Sequence, residues 1–191
     1  MAADYQPLTQ NEINELFFQV DPPAPNTFEI ALVLGGTVSA GAYTAGAVDF
    51  LIEALDCWTS LRDRGDPSAP RHKVLLKVIT ETSGGGVNAA IAARALAYDF
   101  LHVVRSTPHL ERDTGNPFYE TWIKRLTLNG FLGTSDIDRG TLVSLLDGNP
   151  MDDGAAYLTE FAMGKPIQRS YLGDPLRVIL TLTNLRGVPT L

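Results

Sequence analysis

Residues 78–96 read VITETSGGGVNAAIAARAL, a β-rich apolar run that meets Ser83 and three glycines and then becomes an alanine-rich helical pattern. A serine at such a junction is placed for nucleophilic acyl transfer if the turn is sharp and its neighbours are small, because the hydroxyl is then exposed. The G-x-S-x-G elbow has its counterpart in Glu81, Thr82, Ser83, Gly84 and Gly85, with Glu81 where the first glycine belongs. A glutamate there needs backbone angles that suit a residue with a Cβ, and its carboxylate opposes an anionic intermediate unless it faces solvent. Alanines 89, 90, 92, 93 and 95 let the following helix pack close to a sheet and aim its positive dipole end at the serine. The plain alternative is an N-cap serine in a tight turn. Both readings stay open at this level.

A second glycine turn, LGGTVSAGAYTAGAV at 34–48, follows another apolar run. It lacks the dinucleotide fingerprint, since Gly36 is followed by Val38 and Gly41 in place of G-x-G-x-x-G, and no Gly-Lys-Ser/Thr makes it a phosphate loop. The remaining functional reading is an oxyanion hole built from the backbone N–H groups of Gly36, Thr37, Val38 and Ser39. A glycine turn that merely packs helix on strand is the alternative.

The elements that must position these turns follow from periodicity. Apolar runs at 28–34, 74–80 and 177–183 predict three strands, the second of the buried parallel type. Helical spacing predicts helices over 42–57, from the serine turn through 97, over 118–126 and over 150–163, with Ser135 or Asp136 capping another that runs to 146. The proline-rich DPPAPNT at 21–27 separates an acidic N-terminal arm, 1–27, from the domain at 28–191. Strands alternating with helices imply an α/β fold with a mainly parallel sheet, whose ligands sit outside the strands' C-terminal ends.

Bulk properties exclude some classes. The 191 residues are 45% hydrophobic and 19% charged, as in ordinary globular domains. A net charge of −7 without a Lys/Arg cluster argues against nucleic acid and against strong attraction to anionic membranes. Cys57 is the only cysteine, the N-terminus lacks a secretory pattern, and the apolar tract at 87–97 is interrupted by Asn88 and Arg94 and is shorter than the ~20 residues of a membrane span. A cytoplasmic protein without a transmembrane segment is expected.

Together the two turns resemble the patatin-like phospholipases. GTVSAGAYTAG (36–46) is similar to the family's glycine-rich loop, in the branch whose turn carries Val-Ser, with Ala40 at the position of the usual cation. ETSGGGVNAA (81–90) is similar to its G-T-S-x-G-x-x-N-A elbow, including Asn88 and Ala89, and order and spacing match. LTLTNLRG (180–187) resembles the family strand ending in A-T-D-L-x-x-G. The resemblance implies a three-layer architecture related to the α/β-hydrolases, with helices on both faces of the sheet. It implies a lipid acyl hydrolase with a Ser–Asp dyad, no metal or organic cofactor, and an ester substrate taken from a membrane or micelle surface. Phe118, Tyr119, Trp122, Phe131 and Leu132 are apolar residues for that contact, with core packing the alternative for such a cluster.

The base for Ser83 is harder to find. On one continuous helix His102 would lie about 28 Å away at 1.5 Å per residue. His72 precedes its strand and so belongs at the opposite end, and His109 falls in a loop. The literal match to the family's D-G-G/A motif is Asp153-Gly154-Ala155, but it precedes the third strand and starts a helical pattern, where a carboxylate favours the dipole. The resemblance therefore implies a dyad aspartate beyond Leu191 and a domain truncated before it. Asp147-Gly148 and Asp174-Pro175 read as turns. Two further classes are a catalytically inactive lipid-binding domain of the same fold and a nucleotide-binding α/β domain.

Overall fold

The computed structural model describes residues 8–16, 23–37, 40–104, 114–137, 144–160 and 164–183. Three parallel strands, β1 (Thr27–Leu34), β2 (Lys73–Glu81) and β3 (Leu172–Leu180), form an open sheet in the order β1-β2-β3. Helix α1 (Gln10–Leu16) precedes the sheet, α2 (Gly41–Asp63) joins β1 to β2, and α3 (Gly84–Ala95) follows β2. The expected α/β architecture is therefore present, with the C-terminal ends of all three strands at one edge.

The core follows from two stripes. On α2 the buried positions are Gly41, Ala45, Val48, Asp49, Ile52 and Leu55, and on α3 they are Gly85, Asn88, Ala89, Ile91, Ala92 and Ala95, each the spacing of one helix face. Small residues bring α3 close enough to pack on all three strands and against α2. Leu76 and Ile79 of β2 complete the core, with Ile30, Leu32 and Leu34 of β1 packed against it. Ala31 and Val33 on the opposite face of β1 are exposed.

Several boundaries differ from the expectations for identifiable reasons. Strand β3 begins at Leu172, not at 177, because the ladder jumps from Leu76↔Leu172 to Val78↔Arg177 and absorbs the intervening residues as an irregularity. Gly173 and the cis Asp174-Pro175 lie inside that irregularity, so the dipeptide read as a turn belongs to the strand. Helix α3 ends at Ala95. Arg169 explains the stop: its Nη1 donates to Leu96 O at 2.7 Å and Tyr98 O at 2.8 Å, taking carbonyls a longer helix would use itself. His102 thus lies off the helix, its Nδ1 2.7 Å from Asp49 Oδ1.

The stretch expected at 118–126 is helical but composite. Asn116 caps α4 (Pro117–Tyr119) by accepting from Tyr119 N–H at 2.9 Å, and the chain then widens into a π-helical turn, Glu120–Arg125. Thr127 caps the short α5 (Leu128–Phe131) in the same way. Ser135 starts no helix; its N–H and hydroxyl both bind Asp147 Oδ2, tying a turn together, and residues 138–143 lie outside the described set. Helix α6 (Asn149–Glu160) agrees with the expectation for 150–163, whose last three residues are likewise outside it.

One ion pair spans the layers. Arg169, almost wholly buried, binds Asp56 of α2 through Nε and Nη2 at 3.0 Å, and Tyr171 donates its hydroxyl to Asp56 at 2.8 Å. Removing one partner of a buried pair strands the other charge. Asp56→Ala is expected to lower stability by about 3 kcal/mol in urea unfolding; a loss below about 0.5 kcal/mol would class the pair with ordinary surface salt bridges.

Candidate functional site

Strand β2 hands the chain to α3 through two residues, Thr82 and Ser83. Thr82 N–H donates to Leu34 O at 3.2 Å, Gly85 N–H to Thr82 O at 3.1 Å and Gly86 N–H to Ser83 O at 2.7 Å. Ser83 stands between them with φ 59° and ψ −127°, a region that costs a residue with a Cβ about 1–3 kcal/mol. Its side chain caps nothing, whereas a capping serine has extended backbone angles and accepts from the first turn. The N-cap alternative therefore does not describe Ser83: its hydroxyl is exposed at the N-terminus of a 12-residue helix.

The β1 glycine turn passes directly beside it. A Cβ on Gly36 would lie 3.4 Å from Ser83 Cβ and 3.9 Å from Ser83 Oγ. A Cβ on Gly85 would stand 2.4 Å from Leu34 O, a backbone clash that excludes a side chain there, and one on Gly84 would stand 2.5 Å from Thr37 Oγ1, so that the threonine hydroxyl would have to turn away. Thr37 Oγ1 is buried and has no hydrogen-bond partner among the described residues. Gly36 thus lies beside Ser83 and Thr37 beside Gly84, while Val38 and Ser39 lie outside the described residues.

Asn88 locks the two turns together. Its Nδ2 donates to Gly41 O at 3.1 Å and Gly84 O at 3.3 Å, and its Oδ1 accepts from Trp122 Nε1 at 2.8 Å. The Trp122 ring occupies the space a Cβ on Gly41 would need. In sequence the signal for this role is a lone asparagine inside an alanine-rich helical pattern, and the structure buries it wholly.

Glu81 does not face solvent. It is 3% exposed, neither carboxylate oxygen has a hydrogen-bond partner among the described residues, and burial pushes its carboxyl up to about 7, with the Ala89 backbone amide opposing the rise.

Ser83 opens onto a cavity of about 350 Å³, walled by Val87 and Ala90 of α3, Gly154 and Leu158 of α6, and Leu180 and Leu182 around the end of β3. The other polar lining residues are Thr121 and Thr181. Asp153 is not brought to Ser83. It is exposed on another side of α6, in a cleft with Arg125, Tyr157 and Glu160, while its neighbours Gly154 and Ala155 face the serine cavity. His72 packs edge-on against Trp58 ahead of β2, at the opposite end of the strand from Ser83; His102 pairs with Asp49; His109 is outside the described residues. Phe118 is core, Tyr119, Trp122 and Phe131 are half-buried, and Leu132 is exposed, so the aromatic group does not form one surface patch. Among the described residues no three His, Cys, Asp or Glu side chains converge to hold a metal ion, and no helix is long and apolar enough to cross a membrane.

Uncharacterized protein y4iI of Sinorhizobium fredii (strain NBRC 101917 / NGR234) is 33% identical over 175 residues, covering 85% of this chain and 25% of that protein. The chain spans about a quarter of the length of this curated relative. No family model matches the chain. Comparison with solved structures likewise yields no significant match.

Two stability measurements test this geometry. Ser83→Gly is expected to be about 1 kcal/mol more stable than Ser83→Ala, because only glycine is at ease at positive φ; in an ordinary helix the order reverses. For Glu81, the carboxyl stays neutral in the folded protein up to about pH 7 but ionises near 4.5 when unfolded. Unfolding then releases a proton across that window, so stability falls as pH rises through it. Glu81→Gln should remove that fall, exceeding the parent's urea midpoint at pH 8 and matching it below pH 4.5; parallel curves at all pH values would refute the assignment.

Proposed function

We propose that this chain belongs to a patatin-like serine hydrolase that cleaves lipid esters. The observation that carries the reading is Ser83, held at positive φ with an exposed hydroxyl, beside the Gly36–Thr37 backbone and at the mouth of an apolar cavity.

In this reading Ser83 Oγ loses its proton to a base and attacks the ester carbonyl carbon. The oxyanion of the tetrahedral intermediate is held by backbone N–H groups of the turn formed by Gly36, Thr37, Val38 and Ser39, aided by the positive end of α3. The carbon–oxygen bond breaks, the alcohol leaves with the proton, and water then hydrolyses the acyl-enzyme by the same route. In this reading the base is an aspartate outside the described residues, since Asp153 lies on another side of α6. No metal or organic cofactor enters the chemistry.

A cavity near the lower end of ligand-pocket volumes suits one acyl chain better than a whole diacyl lipid. Met151, Leu180 and Leu182, the last 90% exposed, line it from outside and offer apolar contact to a lipid surface. A cytoplasmic protein that visits membranes peripherally, with a three-layer patatin-like architecture, accords with this.

A buried Glu81 next to the serine and the outward Asp153 favour a second reading, an inactive lipid-binding domain of the same fold. Fluorophosphonate labelling of the full-length protein separates the two. The hydrolase reading expects covalent labelling and hydrolysis of p-nitrophenyl acyl esters, both reduced to background in Ser83→Ala. A folded protein that neither labels nor hydrolyses refutes it.

A further inference from the structure

Gly86 is the glycine of the serine turn whose missing side chain the fold does not explain. Gly84 and Gly85 are pressed against Thr37 and Leu34, whereas a Cβ on Gly86 would meet nothing within 4 Å. Among the described residues the glycines with positive φ are Gly65 and Gly115, so the backbone at Gly86 does not call for glycine either. It stands in the first turn of α3, and glycine is a poorer helix former than any residue but proline. What the bare position does is keep the Ser83 cavity open, since Gly86 lines it.

That cavity is a trough between two helix faces. From α3 it is lined by Ser83, Gly86, Val87 and Ala90, and from α6 by Met151, Gly154, Ala155 and Leu158, each the i, i+3, i+4, i+7 set of one face. Seven residues of helix rise about 10 Å, the length of about eight carbons of an extended chain with C–C bonds of about 1.5 Å. Ser83 marks one end of this span and the exposed Ala90 the other. The trough offers little to a polar group: the Thr181 hydroxyl donates to Glu81 O at 3.2 Å, the Thr121 hydroxyl oxygen is buried, and the rest of the lining past Ser83 is apolar side chain or glycine.

We infer that the acyl chain of the substrate lies along α3, over Gly86 to Ala90, and that these two residues set its length, so that the site prefers medium-chain acyl groups of about eight carbons. The inference rests on the acyl-hydrolase reading for the reaction at Ser83, and binding alone tests the trough. Bare Gly86 admits the carbons next to the ester, and a chain that runs past Ala90 meets no further wall.

The test measures kcat/KM of the full-length protein for p-nitrophenyl esters from acetate to palmitate, and the affinity of the matching carboxylates by isothermal titration. Both are expected to rise about two- to four-fold per added methylene up to about octanoate, the effect of burying a CH₂, and to level beyond it. Gly86→Leu should flatten the rise from butyrate onward. Ala90→Trp should keep it through butyrate and stop it short of octanoate. In each variant the octanoate-to-acetate ratio of kcat/KM falls about ten-fold or more. Gly86→Leu should melt no lower than the parent, because its side chain enters open space on a better helix former. The inference is overturned if neither quantity rises with length, if the rise continues undiminished past dodecanoate, if the folded variants leave the profile unmoved, or if both cut it at the same length. Fluorophosphonate labelling of Ser83 in the same preparation separates the two readings. Labelling and hydrolysis with a flat or unmoved profile defeat the trough alone, and carboxylate affinities with the expected profile in a protein that does not label defeat hydrolysis and leave the trough standing.

Discussion

Two strand-to-helix turns share one small volume, and the architecture of the site depends on that close approach. Leu34 O lies where a side chain on Gly85 would go, Thr37 Oγ1 where one on Gly84 would go, and the Trp122 ring where one on Gly41 would go. Such proximity leaves backbone carbonyls in need of donors away from water, and Asn88 meets that need for both Gly41 and Gly84. The three glycines and the amide therefore act as one unit. A residue that forces the turns apart also moves Gly36 away from Ser83, against the Thr82 N–H to Leu34 O bond and the β1–β2 ladder that hold the two turns side by side.

Much of this was legible in sequence because it rests on local rules. Apolar runs located β1 and β2 to within a residue at each end, and glycine and alanine content identified both turns and the small-residue face of α3. What escaped depended on partners distant in sequence. The early start of β3 is hidden because Gly173 and Pro175 read as breakers, and only pairing with β2 makes them part of a strand. The end of α3 at Ala95 is set by Arg169, 74 residues on, which binds the carbonyl there at 3.5 Å as well as those that follow. The direction of Glu81 could not be read because alternation places it inward while its charge argues outward. Burial prevailed, and the carboxyl responds by holding its proton to higher pH.

The charge pattern around Ser83 is consistent with a site that favours a transient negative charge. The N-terminus of α3 lies at Ser83, and Glu81, two residues before it in sequence, is a carboxyl whose ionisation burial suppresses. Asp49, by contrast, is tied to His102 and to Val103 N–H, and the half-buried Asp56 to Arg169 and Tyr171, so these carboxylates serve as structural links between segments. Sequence motifs that contain Asp are thus a poor guide to the base. Asp147 binds Ser135 and Asn149 within its own turn, and Asp153 sits on the outer side of α6.

The far wall of the cavity is held by electrostatics of its own. Glu120, nearly buried at the start of the π turn, accepts from Thr114 N–H at 2.9 Å and Thr114 Oγ1 at 3.0 Å and pairs with Lys124 at 2.8 Å. Arg125 contributes twice, to the Glu120 carboxylate at 3.2 Å and to its backbone carbonyl at 2.8 Å. That second bond matters most, because a π turn changes which carbonyls the helix itself can satisfy, and a guanidinium reaching back covers one of them. Arg125 also stacks on Tyr157 of α6, 3.8 Å from the ring centroid, which fixes the π turn relative to the helix that carries Gly154 and Leu158. The position of Thr121 in the cavity is therefore a consequence of this charged cluster on its outer side, just as the position of Ser83 is a consequence of the glycine packing on the other.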